Sequence, residues 1–283
     1  MRSFGIIGST AIFGLLLSAV ASAQLRATED SPVIYGHHHI NVSDLAAHRR
    51  FWVDTLGGTP VSLGNSEVVR FTNVLVFLRE QNPDGGTKGT TVNHIGFTVP
   101  DLRATLDKLA TAGYPDVTKA EVPTSFSVVD GIAYNEVQDT YLAFVMAPDD
   151  VKVELIGNPG QLTPPRLHHI HFATQDIAGM QAWYAKTLGA IPGMRGNFQA
   201  GDLPGVNLTY SSSDAPLAGT QGTSLDHIGF EVEGLEAFCE DLVRQGVEFD
   251  RPYTEIESLG IAIAFFTDPF GTYIELTEGL DTL

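Results

Sequence analysis

Eight of the nine histidines lie in or directly beside four short, strand-like segments. These are His37-His38-His39-Ile40-Asn41-Val42, His94-Ile95-Gly96-Phe97-Thr98-Val99, His169-Ile170-His171-Phe172-Ala173-Thr174 (preceded by His168) and His227-Ile228-Gly229-Phe230-Glu231-Val232. The ninth, His48, stands apart. Imidazole titrates near neutrality and is the commonest metal ligand, so this clustering points to proton transfer or to a bound ion. Cys239 is the single cysteine. It rules out an internal disulfide and a Cys-rich zinc site, so any ion must be held by His and carboxylate. Side chains at i and i+2 of a strand share a face, which puts His39 beside His37 and His171 beside His169, while His38 and His168 point to the other face. Gly96 and Gly229 leave room at the matching place in the other two segments. His39 and His171 are therefore expected as acid-base groups with near-neutral pKa, or as residues supporting the ligands.

The elements that must position these residues follow from a fourfold repeat. Asp44, Asp101 and Asp176 each stand seven residues after a lead histidine, with Gly234 at that place in the fourth segment. Asp is a strong helix N-cap and Gly is tolerated there. An amphipathic run follows each time, then short β-branched and aromatic stretches such as Ser66–Phe71, Asn73–Leu78, Thr140–Val145 and Ile261–Phe266. The first and third segments coincide at an offset of 132 and the second and fourth at 133, an A-B-A-B order. The expected unit is one strand, one helix and about three strands. Phe51-Trp52 and Trp183-Tyr184 recur at one helical position and are read as core. The run 158–165, Asn-Pro-Gly-Gln-Leu-Thr-Pro-Pro, has linker composition, so the expected domains are 33–158, holding modules one and two, and 166–279, holding modules three and four.

The termini and composition narrow the functional classes. With 43% hydrophobic and 18% charged residues over 283 positions, the chain has the makeup of a soluble globular protein. A formal charge of −18 opposes nucleic-acid binding. Arg2, a short apolar run and Ala21-Ser22-Ala23 form the pattern of a secretory signal peptide over residues 1–23, with cleavage expected after Ala23. The expectation is an exported protein, periplasmic or secreted, without membrane attachment after cleavage. Neither a phosphate-binding glycine loop nor a Gly-x-Ser-x-Gly elbow is present.

The C-terminal stretch Phe266-Thr267-Asp268-Pro269-Phe270-Gly271-Thr272-Tyr273-Ile274-Glu275-Leu276, with a weaker copy at Met146–Leu155, resembles the Asp-Pro-x-Gly turn and glutamate strand of the vicinal oxygen chelate superfamily. That superfamily includes glyoxalase I, extradiol ring-cleaving dioxygenases, and fosfomycin- and bleomycin-resistance proteins. The resemblance spans essentially the whole chain after residue 23. It implies an α+β fold, in which four βαβββ modules pair into two cupped, barrel-like mixed sheets. It also implies two metal triads, His169, His227 and Glu275 in the second domain and His37, His94 and Glu154 in the first, of which two-domain extradiol members usually keep one. Two imidazoles and a carboxylate suit Fe(II) or Mn(II), and Zn(II) is also accommodated. A small substrate with adjacent oxygens is implied. Dioxygenase-like chemistry is favoured over glyoxalase chemistry, whose pattern draws a fourth ligand from strands that here read Val74–Leu78 and Val206–Tyr210 without glutamate. A lyase or isomerase, or a non-catalytic binding protein, are the alternatives. Both module pairs are available within one chain, so a monomer suffices and a homodimer is compatible.

Overall fold

The computed structural model describes residues 31–283; residues 1–23, read as a signal peptide, lie outside them. Module one comprises β1 (Val33–Val42), α1 (Leu45–Arg49) widening into a π-turn segment (Arg50–Thr55), β2 (Thr59–Leu63), β3 (Ser66–Arg70) and β4 (Leu75–Glu80). Module two comprises β5 (Val92–Val99), α2 (Leu102–Thr111), the single turn α3 (Thr118–Glu121), β6 (Val128–Val129), β7 (Ile132–Asn135), β8 (Thr140–Ala147) and β9 (Val151–Gly157). Module three runs through β10 (Arg166–Thr174), α4 (Ile177–Leu188), β11 (Ile191–Arg195), β12 (Phe198–Leu203) and β13 (Val206–Ser212). Module four runs through β14 (Leu225–Val232), α5 (Leu235–Arg244), β15 (Arg251–Ile256), β16 (Ile261–Thr267) and β17 (Tyr273–Glu278).

The helices start where their caps dictate. Asp44 accepts from the amides of Ala46 and Ala47, Asp101 from Ala104 and Asp176 from Gly179. Gly234 has no side chain to offer, and Glu278 at the end of β17 takes over, accepting from the amides of Gly234 and Leu235 at 2.9 and 3.2 Å. The Asp-Pro turn is built by Asp268, whose Oδ1 accepts from the amides of Phe270 and Thr272, and Gly271 adopts the positive φ of 102° that closes it. Phe51, Trp52 and Tyr184 are buried as expected, whereas Trp183 is half-buried against the same core. Cys239 is also buried.

The modules pair differently from the expected division. One sheet has the order β15-β16-β17-β14-β1-β4-β3-β2 and joins modules four and one. The other, β11-β12-β13-β10-β5-β9-β8-β7-β6, joins modules three and two. Each half of the sequence is thus split between both mixed sheets. The run 158–165, read as a domain linker, is instead a short connection within one sheet, because β10 lies antiparallel beside β5. The chain crosses between sheets at 81–91 and 213–224, and these two crossings are tied together: Asp84 N donates to Gly222 O, Thr91 N to Ala218 O and Ser224 N to Gly85 O, at 2.8–3.1 Å. These bonds join the two crossings backbone to backbone, with the buried Thr91 and Ser224 amides among the donors.

Register irregularities aim the histidines. A shift in the β1–β14 ladder between Tyr35 and His37 leaves Val33, Tyr35, Ile40 and Val42 in the core while His37 and His39 face the other way. His38 does turn to the core face, where it bonds Tyr35 Oη and packs on Phe97. The matching shift in β10 falls between Leu167 and His169. Consequently His168 is not turned into the core but is partly exposed, with its Nδ1 3.0 Å from that of His169.

Candidate metal centres

Each sheet forms a cup where two lead strands meet, and in each a buried glutamate draws two histidines together. In the first cup His37 on β1, His227 on β14 and Glu275 on β17 converge. His37 Nε2 lies 2.8 Å and His227 Nε2 3.0 Å from the same oxygen, Glu275 Oε2. In the second cup His94 on β5, Glu154 on β9, His169 and His171 on β10 converge. Glu154 Oε2 is 2.9 Å from His94 Nε2 and 3.2 Å from His169 Nε2, and the two imidazole nitrogens stand 3.3 Å apart.

The expected triads are therefore corrected in their grouping. His169 does not join His227 and Glu275; it joins His94 and Glu154. His37 does not join His94 and Glu154; it joins His227 and Glu275. Each cup takes a histidine from one half of the chain and a histidine-glutamate pair from the other, because β1 pairs with β14 and β10 with β5. The glycines explain the close approach. A Cβ on Gly229 would overlap the ring of His37, and one on Gly96 the ring of His169. The room noted in the sequence is occupied by the histidine of the facing module.

The donor sets fit a divalent ion. Ligand atoms at right angles around an ion at about 2.1 Å stand about 3.0 Å apart, the separation found in both cups. His171 Nδ1 in the second cup and His37 Nδ1 in the first are buried without hydrogen-bond partners. Two nitrogens and a carboxylate oxygen crowded this closely, away from water, require either a shared proton or a cation.

The neighbours of the ligands were not foreseen from the sequence. His227 Nδ1 donates to Asp226 Oδ2 at 2.7 Å, and Asp226 Oδ1 in turn accepts from Asn41 Nδ2 and the Gly222 amide. His94 Nδ1 donates instead to Asn93 Oδ1 at 2.9 Å, an atom that also accepts from Lys152 Nζ at 3.1 Å. Either partner fixes the ring so that Nε2 faces the cup. The signal was present: an acidic or amide residue directly precedes the lead histidine of both B-type segments.

Charge separates the cups further. Burial opposes the His227 cation, but Asp226 and Glu275 outweigh it and raise the pKa. Burial lowers that of His94, and the hydrogen bond and charge of Glu154 do not make up the difference. Asp226 is held down to about 2, chiefly by its bond to His227 acting against burial. Both glutamates are held well below the usual carboxylate range by their histidines despite burial. The expectation of poised, near-neutral His39 and His171 is not met. Burial pushes His39 down to about 3 and His171 well below the ordinary value, so both are weak bases. His171 falls among the possible ligands, whereas His39 stacks on Phe77 with centroids 5.6 Å apart and leans on His227 at 4.4 Å.

Aromatic rings wall the first cup: Phe77 and Phe265 pack edge-on against His37 and His227, and Tyr273 lies against His227. A cavity of about 460 Å³ opens beside it, lined by His39, Phe77, Arg79 and Glu80 among others. The second cup has Phe144 against His94 and Phe198 against His171. At the place of Phe77 it has Thr209, on β13 opposite His171. His48 serves neither cup: its Nε2 is 3.0 Å from Asp149 and its Nδ1 accepts from Trp52.

Known proteins share this architecture. Glyoxalase I from Zea mays superposes with a TM-score of 0.67 at 18% identity, over 88% of this chain and 94% of that one. A putative dioxygenase from Bacillus subtilis superposes with a TM-score of 0.62 at 12% identity, over 89% and 86%. At such identities the likeness is one of fold. No curated protein matches the chain. The family model for the Glyoxalase/Bleomycin resistance protein/Dioxygenase superfamily matches twice, over residues 34–155 and 166–276. With both halves matched, the chain belongs to the Glyoxalase/Bleomycin resistance protein/Dioxygenase superfamily.

Proposed function

We propose that the protein is an exported metal-dependent enzyme acting on a small substrate with two adjacent oxygens, with one ion held in each cup. The observation that carries this reading is the convergence of two imidazole Nε2 atoms on one oxygen of a buried glutamate, at 2.8 and 3.0 Å in the first cup. His37, His227 and Glu275 would hold one ion, and His94, Glu154 and His169, joined by His171, the other. A His2Glu set leaves coordination positions open and suits Fe(II) or Mn(II), with Zn(II) also accommodated. A bound ion would act as a Lewis acid on the two substrate oxygens and, as iron, support reaction with dioxygen.

The chain's own residues supply orientation and a dry wall. Asp226 keeps the His227 Nδ1 proton outside the cup, so that the Nε2 lone pair points inward. Glu275 supplies the compensating charge. Phe77, Phe265 and Tyr273 shield the ligands from water, and the cavity beside His39 offers a route for a small molecule.

Dioxygenase-like chemistry is the first choice for the three-ligand cup, since Phe77 and not a carboxylate stands at the fourth place. A lyase or isomerase is the second reading, favoured for the other cup by the fourth donor His171. Export rests on the composition of residues 1–23 alone.

Metal analysis combined with oxygen uptake on a panel of catechols tests the proposal. Bound iron or manganese, with oxygen uptake abolished in Glu275→Gln, is the expected result. Metal without oxygen uptake favours the lyase reading. Metal-free protein that still binds a small ligand would refute an enzyme of this kind and leave a binding module.

A further inference from the structure

Arg195 ends β11 and is half-buried, beside the second cup. Its Nη1 donates to Thr209 Oγ1 at 3.3 Å, and Thr209 is the residue across the ladder from His171. Phe198, which pairs with Arg195 across the β11–β12 turn, lies with its ring 5.1 Å from that of His171. The hairpin thus leans over the metal-binding side chains. The guanidinium charge is felt by His94, His169 and His171, with Glu154 as its nearby counter-charge. Yet Glu154 is already engaged by His94 and His169, and Arg195 forms no ion pair among the described residues. A guanidinium has five N–H donors in a fork suited to a carboxylate, and here one protein acceptor meets them. The remaining donors of this half-buried group face outward beside the cup, where they are free to meet an anionic guest.

The repeat supplies a control. At the offset of 132 the first cup carries Leu63 in place of Arg195, packed with Val68, Leu75 and Phe77. A cation at this repeat position belongs to the second cup alone. We propose that the second cup takes a substrate bearing a carboxylate, gripped by Arg195, while its adjacent oxygens face His94, Glu154 and His169. This deepens the functional reading above and rests on it for the placing of those oxygens.

The test uses the full protein loaded with Mn(II) and carrying Glu275→Gln, so that the second cup is the competent one. Oxalate and uncharged catechol are titrated by calorimetry, and manganese is counted in the same samples. Arg195→Gln is expected to weaken oxalate binding by at least about tenfold, with partial rescue by Arg195→Lys and catechol affinity held within about twofold. Equal oxalate affinity with and without Arg195, no oxalate binding in its presence, or equal weakening of both ligands would each overturn the proposal. Arg195-dependent oxalate binding in protein that holds no manganese would leave the anion site standing and remove the metal reading instead.

Discussion

The two cups are built from the same repeat positions yet present different chemistry. The first surrounds His37, His227 and Glu275 with Asp226, Phe77, Phe265 and Tyr273; the second surrounds His94, His169 and Glu154 with Asn93, Lys152, Thr209 and Arg195. Both have aromatic rings against their histidines, with Phe144 and Phe198 in the second, but the first adds Phe77 and Tyr273 and has a second carboxylate behind its histidine. The other is cationic, with an amide in that place. The repeat brings His and Glu side chains together in both cups, while the residues around them differ.

Substituting the glycines should break the comparison most severely. Gly229→Val drives a side chain into His37, and overpacking of this kind costs about 1–3 kcal/mol. The expected result is a lower melting temperature and loss of the ion in the first cup, with the second retained; Gly96→Val should do the reverse. Calorimetric unfolding and metal analysis would show it, and loss of both ions from either change would contradict independent cups.

A smaller effect should come from making the cups alike. Asp226→Asn gives the first cup the amide of the second, and metal affinity there is expected to fall about 10–100-fold, as for other residues that orient a ligand. Competition with a chelating dye measures this. An unchanged affinity would mean that the contrast between Asp226 and Asn93 has no bearing on the ion.

Much of this was legible in local residue order. The capping aspartates and the Asp268 turn are short-range rules, and they hold in the structure, whereas plain strand alternation fails at the register shifts beside His37 and His169. The residues that converge were legible in part: His37, His94, His169 and His227 lead the repeats and the resemblance implied Glu154 and Glu275, whereas His171, which joins one cluster, was expected only as an acid-base or supporting group. Their grouping was not legible. His94-Ile95-Gly96-Phe97 and His227-Ile228-Gly229-Phe230 offer the same glycine gap to an incoming histidine, so β1 could in principle pair with either strand. The observed pairing comes with hydrogen-bonded crossings at 81–91 and 213–224, contacts between segments over a hundred residues apart that no periodicity encodes. Arg195 was equally hidden, since a lone cation on a hairpin has no pattern to announce it.

The most direct test of assembly across the two halves is the metal content of paired variants. The wild-type protein should hold two ions per chain. His37→Ala and Glu275→Gln should each remove one, and together should still remove only that one, whereas His37→Ala combined with Glu154→Gln should remove both. If His37→Ala with Glu275→Gln strips two ions while His37→Ala with Glu154→Gln strips one, the cups are formed within the halves and the account is wrong.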